Sequence, residues 1–262
     1  MTRQPSFYIP HGGGPCFFMP DPQGNWTSMA EFLRSLPARL PEPPMAILVV
    51  SGHWETEGFA FTGAETPALL FDYYGFPQHT YELRFDAPGA PDLASEAARL
   101  LREAGFAAGL DSQRGYDHGV FVPLKVSWPE AEVPVVEMSL DRSLDPALHL
   151  AAGKALAPLR DQGVLILGSG MSFHNMRGYG NPASTAPSQT FDAWLTAAAT
   201  SDAEARAAAL ARWAEAPAGR FSHPREEHLL PLMVAAGASD EAGEKVYSDL
   251  VLGTAISAFQ FN

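Results

Sequence analysis

MAILVVSGHWE, residues 45–55, decides how this chain reads. Met45 to Val50 is an unbroken apolar run without polar alternation, the pattern of an interior strand covered by helices on both faces. A Pro-rich linker, PARLPEPP, precedes it, and Ser51–Gly52 leads from its end to His53. Val133 to Leu140 (VPVVEMSL) and Val164 to Leu167 (VLIL) repeat the pattern, with shorter strands expected at Phe7 to Ile9 and Gly58 to Thr62. Glu244 to Gly253 and Ala258 to Phe261 read as edge or antiparallel strands.

Helical segments alternate with these runs. Asp92 is the expected N-cap of LASEAARLLREAG, closed by Gly105; Asp145 with Pro146 opens ALHLAAGKALAPLRDQG, closed by Gly163. Residues 189–215 read as two helices broken at Ser201 and Asp202, and a last helix is expected from near Pro224, carrying EEHLLPLMVAAG with a kink at Pro231. Residues 177–188, polar and rich in Gly, Pro and Ser, read as a mobile flap or connector. The alternation predicts a single α/β domain over residues 1–262. Its central sheet is largely parallel or mixed and flanked by helices, with the active site at the C-terminal rim of the strands.

The 262 residues are 46% hydrophobic and 18% charged, enough to bury a large core. A net charge of −13 repels phosphate backbones and argues against nucleic-acid partners. Cys16 is the sole cysteine, which excludes an internal disulfide and suits a reducing cytoplasm. The N-terminus lacks the apolar stretch of a signal peptide, and no run reaches the ~18 apolar residues of a membrane span. Monomer and homo-oligomer are both compatible with the sequence.

Histidines cluster where strands are expected to end. His11, His53 and His174 each follow an apolar run, so one rim of the sheet gathers neutral imidazoles, the donor set of a metal site. In HGGGP (11–15), Gly12 and Gly13 allow close backbone approach to a bound group; the plain alternative is a Gly-rich turn with an incidental histidine. In SGHWE, Trp54 could wall a pocket and Glu55 could orient an imidazole; alternatively His53 is a satisfied histidine in a turn. His118 in YDHGVFVPL suits a substrate-contacting or acid/base role, or is a loop histidine bonded to Asp117, and Tyr116 beside it is a candidate substrate contact. His174 in GSGMSFHNM is a candidate base or ligand, or else a cap on the next element. Ser169 is not a nucleophile elbow, because the order G-x-S-x-G is missing. In HPREEHLLPL, Glu227 or His228 could complete a facial triad, since adjacent helical residues point about 100° apart, or the segment is a solvated helix face. His223 could cap this helix or sit at the rim. His149 reads as a solvated or half-buried helix residue, His79 as incidental, and Cys16 as a small apolar filler near the pocket.

Taken together, YIPHGGGP, ILVVSGHWE, FDYYGFP, YELRFDAPGAP, YDHGVFVPL, GSGMSFHNM and HPREEHLLPL resemble, in order over about residues 8–232, the LigB superfamily of class III extradiol dioxygenases. The DODA type, the 4,5-DOPA extradiol dioxygenases, is the nearest group. The resemblance implies metal ligation by His11, His53 and His228, with His174 as acid/base and as a possible fourth ligand at rest. It also implies that His118 contacts a substrate hydroxyl or an oxygen species. Fe(II) is the implied active metal, with Zn(II) able to occupy the site as isolated. The implied reaction joins O2 to a catechol such as L-DOPA and opens the ring outside the diol, giving seco-DOPA, a betalamic acid precursor. Arg177 and Arg225 are candidate partners for a substrate carboxylate. Many DODA-type members read HGSPM where this chain has HGGGPCFFM, a difference expected to reshape the substrate pocket. A zinc-dependent hydrolase is the rival reading, weakened by the lack of HExxH and of paired cysteines, and a non-enzymatic metal binder is a second.

Overall fold

Strand formation follows the apolar runs and extends beyond them. The computed structural model describes residues 2–262, in which eight strands form one mixed sheet. In chain order these are β1 (Ser6–Pro10), β2 (Ala46–Thr56), β3 (Phe59–Thr62), β4 (Ala108–Asp111), β5 (Val135–Asp141), β6 (Val164–Gly170), β7 (Gly243–Val251) and β8 (Thr254–Phe261). Their order across the sheet is β4-β3-β5-β2-β6-β1-β8-β7. The four central strands, β5, β2, β6 and β1, are mutually parallel. β3 runs antiparallel to β5, β8 antiparallel to β1, and β7 antiparallel to β8. The expected α/β architecture with a mixed sheet is therefore present.

Alternate residues of the central strands feed two cores. Leu48 and Val50 of β2, with Ile166 of β6 and Tyr8 of β1, face the helices Pro91–Glu103, Pro146–Leu156, Thr185–Ala199 and Leu230–Gly237. Ile47 and Val49, with Leu165, Leu167, Phe7 and Ile9, face the helices Thr27–Ser35 and His118–Ser127. Both faces are thus covered, which is why these strands carry no polar alternation. Among the described residues, no helix is long and apolar enough to cross a membrane.

Several boundaries differ from the sequence reading, each for a local reason. Pro91 opens its helix, so Asp92 lies in the first turn and Ala90 holds the N-cap position. The helix begun by Asp145 ends at Leu156, because Pro158 starts a separate short turn of helix, Pro158–Asp161. The segment 177–188 is not one loop: Asn181 caps a 3-10 turn at Pro182–Ser184, and helix begins at Thr185. Residues 224–229 are not helical. The final helix starts at Leu230, and Pro231 occupies its first turn, where the missing N–H costs nothing, instead of kinking its middle. Asp202 does cap the second Ala-rich helix, Ala203–Leu210, by accepting from the Ala205 N–H.

Two features of the rim matter for function. The β2–β5 pairing shifts register between Val50 and Glu55, so β2 runs through Ser51–Trp54 as an irregularity within the strand. His53 therefore belongs to the strand, re-aimed as bulges re-aim side chains, and does not follow it. Secondly, the turn before the last helix lies directly on side-chain-free strand ends. A Cβ at Gly170 would strike the His228 carbonyl, one at Gly168 the Pro231 carbonyl, and one at Gly52 would come within 3.0 Å of the Glu227 carbonyl. The Met171 N–H donates to the His228 carbonyl at 3.1 Å, and the Tyr8 hydroxyl donates to it at 2.7 Å.

This packing predicts a sharp response to one methyl group. Gly170→Ala should destabilise the fold by about 1–3 kcal/mol, as overpacking does, and weaken divalent-metal binding at the rim. Thermal unfolding and a cobalt titration check this; wild-type values in both would show that the turn does not depend on the glycine.

Candidate metal centre

Each imidazole at the rim is delivered by a different element. His11 follows β1 directly, its N–H donating to the Gly170 carbonyl of β6 at 3.1 Å. His53 lies in the irregular part of β2, His118 begins the helix after β4, His174 follows β6, and His228 sits in the glycine-cradled turn. Ring centroids of His11 stand 5.0 Å from His53, 5.1 Å from His228 and 5.4 Å from His118. His53 lies 4.0 Å from His118 and 4.7 Å from His228, and His174 stacks on His228 at 3.3 Å. Candidate donor atoms of His11, His53 and His118 lie within 4.8 Å of one another, as do those of His174, Glu227 and His228.

Carboxylates behind the rings set their tautomers. Glu227 Oε1 accepts from His228 Nδ1 at 2.9 Å and from His174 Nδ1 at 3.1 Å. Asp72 Oδ1 accepts from both the backbone N–H of His118 (3.0 Å) and its Nδ1 (2.7 Å), while Oδ2 stands 3.6 Å from His53 Nδ1. With Nδ1 committed, the unprotonated Nε2 atoms are the free donors. His228 Nε2 and His53 Nε2 accordingly meet at 3.2 Å. His11 has neither ring nitrogen hydrogen-bonded although both are buried. Leaving such a group unsatisfied costs about 1–3 kcal/mol, so a partner absent from the polypeptide is called for. Three neutral imidazoles, His11 and His228 buried and His53 half-buried, fit a borderline divalent metal, as iron and zinc both are.

The electrostatics agree. Burial, reinforced by the neighbouring imidazoles, holds His11 well below the ordinary histidine range. Burial brings His53 down to about 4, aided by His118 and opposed by Asp117 and Asp72. Burial likewise lowers His228 against the opposing hydrogen bond of Glu227. For Asp72 burial acts upward, but the His118 hydrogen bond and the nearby imidazoles win and hold it at about 2. Glu227 follows the same balance, with burial overcome by hydrogen bonds from His174 and His228.

A cavity of about 820 Å³ opens over these rings. Gly12, Gly13 and Gly14 form part of its wall, with positive φ at Gly12 (83°) and Gly14 (54°), and Trp26, Tyr73, Phe76, Met171 and Tyr179 supply apolar surface. Trp54 and Tyr116, expected as substrate contacts, do not line it. Trp54 alternates with His53 along β2 and packs under the Arg114 guanidinium, 5.0 Å from its ring. Tyr116 is fully buried, its hydroxyl donating to the Val135 carbonyl at 2.7 Å.

Other expectations are also corrected. Glu55 holds no imidazole; it pairs with Arg225. His118 starts a helix and bonds Asp72, because Asp117 is already engaged by Ser51 and Arg114. His149 is fully buried, its Nδ1–H donating to the Asp145 carbonyl and its Nε2 accepting the Asp141 N–H. His223 is buried below the rim and donates to the Ser172 carbonyl at 3.0 Å. Arg177 is exposed off the cavity, whereas Arg225 lines it. Cys16 is buried beneath Gly12. Asp72 has no part in the sequence reading: it lies 46 residues from His118, and only its place in FDYYGFP hinted at it.

An α/β sheet with an imidazole cluster at its parallel-strand rim defines a metal-dependent enzyme class, and sequence comparison places the chain within it. Residues 6–260 match the family described as the catalytic LigB subunit of aromatic ring-opening dioxygenase, and the chain belongs to that family. It is similar to the dioxygenase tasH of Hapsidospora irregularis (37% identity, 99% of this chain and 86% of the relative). It is also similar to a 4,5-DOPA dioxygenase extradiol of Beta vulgaris (38% identity, 94% of this chain and 90% of the relative). The crystal structure of an Escherichia coli K12 protein superposes with a TM-score of 0.80 at 29% identity, covering 99% of this chain and 100% of that one. This membership disfavours the zinc-hydrolase reading.

The depressed imidazoles make stability pH-dependent. Below the ordinary value of 6.5 the unfolded chain takes up protons that folded His53 and His223, both held at about 4, refuse until lower pH. More protons bound by the unfolded state means that stability falls as pH is lowered through this window; Asp72, held at about 2, adds its loss only at more acid pH. The thermal midpoint of metal-free protein should therefore drop between about pH 6.5 and 4, and a flat or rising midpoint would contradict these assignments.

Proposed function

We propose that this protein is a non-haem Fe(II)-dependent extradiol dioxygenase that cleaves a catechol such as L-DOPA with O2 to a semialdehyde, seco-DOPA, the precursor of betalamic acid. The observation that carries the reading is the buried His11 imidazole, hydrogen-bonded through neither nitrogen, facing His53 and His228 at one rim of the sheet. His11, His53 and His228 would hold the metal, with His174 close enough to join them. Zn(II) suits the same donors and can occupy them as isolated. One catalytic domain spans residues 1–262, and the lone cysteine suits a reducing cytoplasm.

A ferrous ion held there would supply Lewis acidity and redox chemistry toward a catechol and O2. The remaining work belongs to the chain. His174 donates its Nδ1–H to Glu227, which leaves Nε2 as a base for a catechol hydroxyl proton. His118, fixed by Asp72, presents Nε2 to the cavity, where it can hydrogen-bond a reacting oxygen. The glycine wall leaves room for the ring, and the aromatic side chains offer it an apolar surface.

Protein loaded anaerobically with Fe(II) should consume one O2 per catechol and form a yellow product. No uptake with any catechol at confirmed iron occupancy would end this reading. His53→Ala should lose metal and activity together, whereas His174→Ala should keep most of the metal and lose about 10²–10⁴-fold in turnover. Near-normal turnover in the second variant would remove His174 as the base.

A further inference from the structure

The cavity wall carries a charged device that the chemistry above leaves unused. Arg225 is the sole Lys or Arg lining the cavity among the described residues. Its Nη1 and Nη2 donate to Glu55 Oε1 and Oε2 at 2.5 and 2.7 Å, and Nη1 reaches Glu227 Oε2 at 3.4 Å. Because Oε1 of Glu227 is spent on His174 and His228, the Glu55–Arg225 pair stands one carboxylate away from the imidazole floor. The pair joins the end of β2 to the turn before the last helix, across 170 residues of sequence. An exposed ion pair adds little to fold stability, and the Arg225 side chain is 52% exposed, so its placement on this wall bears on recognition more than on folding.

We propose that Glu55 and Arg225 form a specificity pair that selects catechols bearing an amino-acid tail, with Glu55 taking the ammonium and Arg225 the carboxylate. The inference rests on the catechol-cleaving reading and deepens it. Complementarity to a preformed ion pair carries the argument: Arg225 meets both oxygens of Glu55 on the cavity wall, so an acid and a base stand side by side there. A tail bearing only a carboxylate must displace Glu55 from Arg225 and leave an extra negative charge beside it. A tail bearing only an ammonium gains Glu55 but weakens its hold on Arg225. A zwitterion offers each member of the pair a new partner of opposite sign, and the five-donor guanidinium can keep one bond to Glu55 while donating to a second carboxylate. The rest of the wall around Trp26, Tyr73, Phe76 and Met171 is apolar and suits the ring.

The test compares L-DOPA, 3-(3,4-dihydroxyphenyl)propionate, dopamine and 4-methylcatechol, with each kcat/KM expressed relative to 4-methylcatechol in the same iron-loaded variant. Wild type should favour L-DOPA over either singly charged compound by about tenfold or more, a modest ratio for a solvent-accessible pair. Glu55→Gln should cut the L-DOPA to propionate ratio by about tenfold, and Arg225→Gln should cut the L-DOPA to dopamine ratio similarly. Anaerobic calorimetry should give the same pattern in Kd, separating recognition from any disturbance of turnover through Glu227. Ratios within about twofold of wild type in both variants, or no tail preference in wild type, overturn the proposal while 4-methylcatechol cleavage still stands. Loss of 4-methylcatechol cleavage in wild type instead strikes the underlying reading, and this inference with it.

Discussion

The docking of the turn Glu227–Pro231 onto bare strand ends is the constraint on which the rest depends. Gly52, Gly168 and Gly170 carry no side chains where this turn touches β2 and β6, so backbone packs on backbone. The His228 carbonyl is then tied to Met171 and Tyr8, and its ring is delivered to the same rim as His11 and His53. The short segment from Arg225 to Pro231 thereby contributes a candidate ligand, the carboxylate that orients two imidazoles, and the arginine of the cavity wall. Sheet and site are in this sense a single object: the parallel strands set the rim, and the glycines decide what may lie on it.

Two carboxylates then turn a group of histidines into a directed donor set. Asp72 and Glu227 are both held ionised despite burial, by the imidazole N–H groups that face them. Each fixes Nδ1–H on its partners and leaves Nε2 toward the cavity. Burial keeps His11, His53 and His228 neutral, the state a metal requires. The net charge of −13 is thus less informative than where a few acidic groups sit.

Much of this was legible in the sequence because buried parallel strands write themselves as apolar runs, and histidines following such runs must share a rim. Phe7–Ile9, Met45–Val50 and Val164–Leu167 located three central strands, and the rim placement of His11, His53 and His174 followed from them. What stayed hidden depends on contacts between distant residues. Trp54 and Tyr116 sit beside site histidines in sequence, yet strand alternation and burial turn them away from the cavity. Asp72 lies in an irregular segment whose periodicity says nothing about its partner. Glu55 pairs with an arginine 170 residues away, and Pro231 looked like a kink because the apolar run around it hid where the helix begins.

The central claim is that neutral imidazoles from the end of β1, from β2 and from the glycine-cradled turn form one metal site. Anaerobic titration of metal-free protein with Fe(II), followed by X-ray absorption at the iron edge, tests it most directly. The arrangement predicts one ion per chain with at least three imidazole nitrogens in its shell, and loss of nitrogen scattering in His11→Ala. A shell dominated by water and carboxylate oxygen, or binding untouched by His11→Ala, would contradict it.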